Sequence, residues 1–145
     1  MKWISDILGG KTLLRGLDHV AIVVSDMDRS IEFYTGVLGL KLIKDGRQKG
    51  WLKKTFIGTE KKAVLALTED RSLSRESGGS AESVNHIAFY VDDIEGVGRL
   101  LGERGVRFIE EKAGEDGRVR ACHFLDPDGV ELEICVETGR DAPQY

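Results

Sequence analysis

The hydrophobic pattern of the chain is written twice. An unbroken apolar run, VAIVV from position 20, ends two residues before Asp26, and a second, IAFYV from position 87, ends two residues before Asp93. Short runs rich in β-branched and aromatic residues predict strands, and the aspartate after each predicts a helix start, because its carboxylate can accept free backbone N–H groups. Helical spacing follows in both places. Ile31, Tyr34, Val37 and Leu38 form the apolar stripe of the first copy, and Ile94, Val97, Leu100 and Leu101 that of the second, which stops near Gly105. Segments 41–44, 52–57 and 63–68, then 107–110, 119–125 and 130–137, predict three further strands per copy. The unit is βαβββ, and it occurs twice.

Adding 67 to a residue number pairs His19 with His86, Ala21 with Ala88, Val24 with Val91 and Asp26 with Asp93. One residue is dropped where GLKLIKD, from Gly39, lies over GVRFIEE, from Gly105; the offset of 67 returns where AVLALT, from Ala63, lies over VELEIC, from Val130. A long unit present only twice indicates a duplicated half-domain rather than an open repeat array. The expected organisation is an N-terminal extension at 1–13, a single domain at 14–138 and a short tail at 139–145. Within the domain, repeat one spans 14–68, a polar linker 69–83 and repeat two 84–138. Trp3, Ile4, Ile7 and Leu8 make the extension a short packing helix rather than a targeting signal.

Alternation then assigns faces. Val20, Ile22 and Val24, or Ile87, Phe89 and Val91, point toward the helix layer, so His19, Ala21 and Val23, or His86, Ala88 and Tyr90, point away from it. On the last strand Leu132, Ile134 and Val136 are the apolar set, leaving Glu131, Glu133 and Cys135 on the histidine face. The hairpin through FLDPDGVELE supports this. A two-residue turn would set His123 against Leu132, whereas a three-residue turn of Pro127, Asp128 and Gly129 sets His123 opposite Glu133 and Phe124 opposite Leu132. All three histidines and Glu133 then face one cavity.

Composition removes several alternatives. The 145 residues carry 21 basic and 25 acidic side chains, mixed along the chain, for a formal net charge of −4, which argues against a nucleic-acid partner. No apolar run reaches the roughly 18–20 residues a membrane span needs. Two cysteines, Cys122 and Cys135, fall on opposite faces of one hairpin, so a disulfide framework is excluded and a reducing cytoplasm is the expected compartment.

With LDHVAIVVSDMDRSIEFYTGVLGL in the first half and VNHIAFYVDD and FLDPDGVELE in the second, the chain resembles the glyoxalase, bleomycin-resistance and extradiol-dioxygenase superfamily, the vicinal oxygen chelate proteins. The resemblance implies an α+β fold in which two βαβββ repeats form a curved, mostly antiparallel sheet around a metal cavity. It places metal ligands on the first and fourth strands of each repeat, which are His19, Ala66, His86 and Glu133 here. Alanine cannot ligate. The remaining His19, His86 and Glu133 leave coordination positions open on a divalent cation, Fe2+ or Mn2+ foremost and Zn2+, Ni2+ or Co2+ as alternatives, for a small substrate with two adjacent oxygens. Glu69 has the wrong parity to replace the missing ligand.

The same resemblance makes His123 the catalytic candidate, since it stands where extradiol dioxygenases carry a tyrosine. The additional acid–base histidine of those enzymes is absent. Fosfomycin-modifying members are set lower, because Ala21 replaces their threonine. Trp51, Phe56 and Tyr90 are expected to line the substrate pocket, with Arg118 or Lys53 meeting an anionic group. The implied function is a metal-dependent dioxygenase or a glyoxalase-like lyase or isomerase; the alternative is a bleomycin-resistance-type protein that binds small molecules without catalysis. A homodimer is expected, with His19 able to serve a site whose other ligands belong to its partner.

Overall fold

Each half of the chain folds as the pattern requires. In the first, β1 (Val20–Val24) leads into α1 (Met27–Ile31), a π-helical segment (Glu32–Val37), β2 (Lys41–Lys44), β3 (Lys54–Gly58) and β4 (Ala63–Glu69). In the second, β5 (Ile87–Val91) leads into α2 (Ile94–Glu103), β6 (Phe108–Ala113), β7 (Val119–Leu125) and β8 (Glu131–Val136). The computed structural model describes residues 13–14, 16–48, 54–73 and 84–136. The expected helix of the N-terminal extension, Trp51, Lys53, the start of the strand predicted from residue 52, most of the linker and the C-terminal tail lie outside the described residues.

Both helix starts are capped by the predicted aspartates: the Asp26 carboxylate accepts from the Arg29 N–H at 3.0 Å, and that of Asp93 from the Gly96 N–H at 2.9 Å. The first helix departs from expectation. After one α-helical stretch it widens to i→i+5 bonding, with the Leu38 N–H donating to the Phe33 carbonyl at 3.0 Å. An apolar stripe at 3.6-residue spacing does not encode such a widening. Tyr34, carried on this segment, is fully buried, and its hydroxyl donates to Asp126 Oδ2 in the second half at 2.8 Å.

The strands form two four-stranded sheets in the orders β1-β4-β3-β2 and β5-β8-β7-β6. In each, the first and fourth strands pair in parallel and the other pairings are antiparallel. The duplicated α+β fold is therefore present as two sheets within one chain rather than one continuous sheet, and β1 and β5 occupy sheet edges. Registers match across the repeat: Ala21 faces Ala66 as Ala88 faces Glu133. Helix-facing residues of both halves, including Val24, Met27, Leu65 and Leu67 with Ile94, Leu101, Phe124 and Leu132, make one buried cluster.

Polar contacts tie the halves together through the β7–β8 turn. Asp128 accepts from the Ser25 N–H at 3.1 Å and from Arg29 Nη2 at 3.2 Å, while Arg104 Nη1 donates to the Val37 carbonyl at 2.8 Å. Burial pushes the Asp126 carboxyl above its ordinary range, against the lowering effect of the Tyr34 hydrogen bond. Burial, then the charge of Asp126, pushes the Tyr34 phenol up in turn. Among the described residues, no helix is long and apolar enough to cross a membrane.

Candidate metal centre

The hairpin turn sets the site. The Asp126 N–H bonds the Val130 carbonyl at 2.9 Å, which leaves Pro127, Asp128 and Gly129 as the loop, and Gly129 takes φ +84°, a left-handed conformation that glycine adopts without strain. As expected from this turn, His123 faces Glu133 and Phe124 faces Leu132. Cys122 aligns with Ile134 and Cys135 with Ala121; both cysteines are free.

His86, just before β5, brings Nε2 to 2.8 Å from Glu133 Oε2. His123 on β7 brings its own Nε2 to 3.4 Å from the same oxygen. The two imidazole rings meet edge to face, with centroids 5.0 Å apart and planes at 78°. His123 is only 1% exposed, and its Nε2 is buried with no hydrogen-bond partner, since 3.4 Å is an ion-pair separation but a poor hydrogen bond. Glu133 is buried as well. A buried carboxylate flanked by two imidazoles, one carrying an unpartnered nitrogen, fits a divalent cation.

Each histidine is held from behind through Nδ1. Asn85 Oδ1 lies 2.8 Å from Nδ1 of His86, Asp18 Oδ2 lies 2.7 Å from that of His19, and Glu131 Oε1 lies 2.8 Å from that of His123. In each case a proton on Nδ1 donates to the oxygen and leaves the Nε2 lone pair free for a ligand. Sequence reasoning missed these three orienting residues. The signal was present for two of them, because Asp18 and Asn85 are the same position of the repeat, one residue before each histidine. Asp18 is held below its ordinary range by the His19 hydrogen bond.

The other expected residues are scattered. His19 sits in the first half, where its ring meets Phe56 edge to face at 5.9 Å, and within that half no carboxylate takes the place Glu133 has, because Ala66 is there. Tyr90 points outward on β5 and is 58% exposed. Arg118 lies exposed in the β6–β7 turn, its N–H donating to Asp116 Oδ1 at 3.1 Å. Glu69 faces the helix layer, where Oε1 accepts from the Met27 N–H at 2.9 Å. A cavity of about 250 Å³, walled by β1 residues Val20 to Val23, Val84, Ile87 and Val130, has His86 and Glu131 on its surface. It offers mostly apolar space beside the polar cluster.

Residues 16–134 match the family described as Glyoxalase/Bleomycin resistance protein/Dioxygenase superfamily. Metallothiol transferase FosB of Staphylococcus epidermidis is 27% identical over 134 residues, which span 91% of this chain and 89% of that protein. Lactoylglutathione lyase of Escherichia coli O157:H7 is 30% identical over 124 residues, spanning 82% and 90% respectively. Among solved structures, a glyoxalase/dioxygenase from Nostoc punctiforme aligns with a TM-score of 0.70 at 25% identity, over 86% of this chain and 92% of its own.

Proposed function

Because the chain belongs to the Glyoxalase/Bleomycin resistance protein/Dioxygenase superfamily, we propose that it is a metal-dependent enzyme acting on a small substrate with two adjacent oxygens. His86 and Glu133 anchor the cation. The observation that carries this reading is the convergence of His86 Nε2 and the unpartnered His123 Nε2 on one buried Glu133 oxygen. A bound divalent cation supplies Lewis acidity, drawing charge from a substrate oxygen. Fe2+ and Mn2+ suit the mixed imidazole and carboxylate donors, and Zn2+, Ni2+ and Co2+ are compatible with them.

The chain's own residues do the positioning. Asn85 fixes the His86 tautomer, and the apolar walls of the neighbouring cavity exclude water from the substrate's non-reacting part. His19 reaches such a site from a second copy of the chain. The outward apolar residues of edge strands β1 and β5, Val23 and Tyr90, support that homodimer, because an exposed apolar edge is a pairing surface.

Lyase and thiol-transfer chemistry, named for two relatives, stand beside ring cleavage as reactions to be separated. Thiol transfer returns to this set despite Ala21. The protein loaded with Mn2+, Fe2+ or Ni2+ is assayed in parallel for hemithioacetal isomerisation, for thiol addition to an epoxide and for aerobic cleavage of catechols. Turnover in one assay that disappears in His86→Ala supports the proposal. Absence of turnover in all, together with tight metal-independent binding of aromatic ligands, supports the binding-protein alternative.

A further inference from the structure

The cavity beside the metal centre carries a negative charge that is not needed to hold the cation. We infer that Glu131 determines which substrates the site admits: a single-ring or similarly small compound with two adjacent oxygens whose other substituents are neutral or cationic, and not one that bears a further acidic group. This rests on the metal-dependent reading above and adds to it the class of molecule selected.

Position comes first. The cavity of about 250 Å³ has His86 and Glu131 on its surface and Val20, Val84, Ile87 and Val130 among its walls. Since roughly 150 Å³ is enough to hold a benzene ring, this space suits one substituted ring. The donor atoms of His86, His123 and Glu131 lie within 4.8 Å of one another. His86 is also the residue whose Nε2 reaches Glu133 Oε2 at 2.8 Å. A substrate held at the cation by two adjacent oxygens and extending into the cavity therefore runs along Glu131.

Charge then decides what can follow those oxygens. Among the described residues that line the cavity none is a lysine or arginine, and two are acidic, Asp128 and Glu131. Asp128 is already compensated: its side chain is 3% exposed and accepts from Arg29 Nη2 at 3.2 Å and from the Ser25 N–H at 3.1 Å. Glu131 has no such partner among the described residues. Its Oε1 accepts from His123 Nδ1 at 2.8 Å, and 28% of its side chain stays exposed. The apolar walls strengthen its field, because charges interact more strongly where water is displaced. The cation does not cancel it, since that charge is met by Glu133 and by the two substrate oxygens at the other end of the molecule. An acidic substituent on the ring faces Glu131 as a like charge, and an ammonium group faces it as an opposite one.

The test is calorimetric binding of three catechols to the full chain loaded with Zn2+, which is redox-inert. The three differ only in a short side chain of matched length: propyl, aminoethyl or carboxymethyl. The aminoethyl compound is expected to bind at least as tightly as the propyl one, and the carboxymethyl compound more than about tenfold more weakly. Glu131→Gln, which keeps a carbonyl acceptor for His123 Nδ1–H and removes only the charge, should close most of that gap. The wild-type series needs no variant, so the inference stays falsifiable if the substitution unfolds the chain. Wild-type protein that binds the carboxymethyl compound as tightly as the propyl one, or a gap that folded Glu131→Gln leaves in place, overturns the inference while leaving metal dependence intact. Failure of the propyl compound to bind the Zn2+-loaded protein overturns the inference as well. Binding that is equally tight without Zn2+ overturns the metal-dependent reading instead, and a chain that takes up no Zn2+ overturns both.

Discussion

The ring of His19 meets that of Phe56 edge to face, at 5.9 Å and 82°, in the same relation that His86 bears to His123 at 5.0 Å and 78°. Phe56 faces Ala66 as His123 faces Glu133. The first half therefore keeps the histidine and its pose but has an aromatic ring and a methyl group where the second half has an imidazole and a carboxylate.

Phe56→His combined with Ala66→Glu gives the first half the imidazole and carboxylate that the second half has, and should add metal-binding capacity beside His19. The carboxylate would enter a fully buried position. The metal-free double variant is therefore expected to lose several kcal/mol of stability, the usual cost of an uncompensated buried charge. Thermal melts with and without Co2+ check this, the double variant regaining more of its melting temperature on adding Co2+ than the wild type gains.

The repeat, its strand faces and the hairpin register were legible in the sequence because each depends on local periodicity: an offset of 67, alternation of two, and a turn whose glycine admits one loop length. What was not legible depends on tertiary contact. Tyr34 reads as an ordinary stripe residue, yet the π-helical segment carries its hydroxyl to Asp126, 92 positions away. Nor does spacing along the chain reveal that Asp128 bonds Ser25 and Arg29, or that His123 rests on Glu131 rather than only facing Glu133.

Gly129 controls the register that sets His123 opposite Glu133. Nothing lies within 4 Å of where its Cβ would be, so the penalty for Gly129→Ala is conformational: at φ +84° an L-residue should cost about 1–2 kcal/mol. Gly129→Asn should cost less, since asparagine tolerates this region better. Urea unfolding of both variants reads the difference.

Tyr34→Phe removes the hydroxyl that donates to Asp126 Oδ2 and should destabilise the fold by about 1–3 kcal/mol. The sign of the pH dependence follows from burial. Asp126 is raised above its ordinary value of 3.8 in the folded state, so its contribution is fully present below that value and is lost as pH rises through the folded one. Because the Tyr34 bond holds this carboxyl down, Tyr34→Phe moves it further up and extends that loss to higher pH. Unfolding free energies measured at stepped pH for both proteins test the direction.

Val23 and Tyr90, 45% and 58% exposed on the two edge strands, are expected to lie in the dimer interface. Val23→Lys with Tyr90→Lys places charge on both edges and should convert a dimer to a monomer in sedimentation velocity, with the far-ultraviolet spectrum unchanged. A wild-type monomer at micromolar concentration would contradict the proposed sharing of His19.

Metal content tests the central claim most directly. Protein purified without chelators should carry about one transition-metal ion per chain by elemental analysis. His86→Ala and Glu133→Gln, folded by circular dichroism, should carry almost none. A metal-free wild type that also fails to take up Mn2+, Fe2+, Co2+, Ni2+ or Zn2+ would contradict the account.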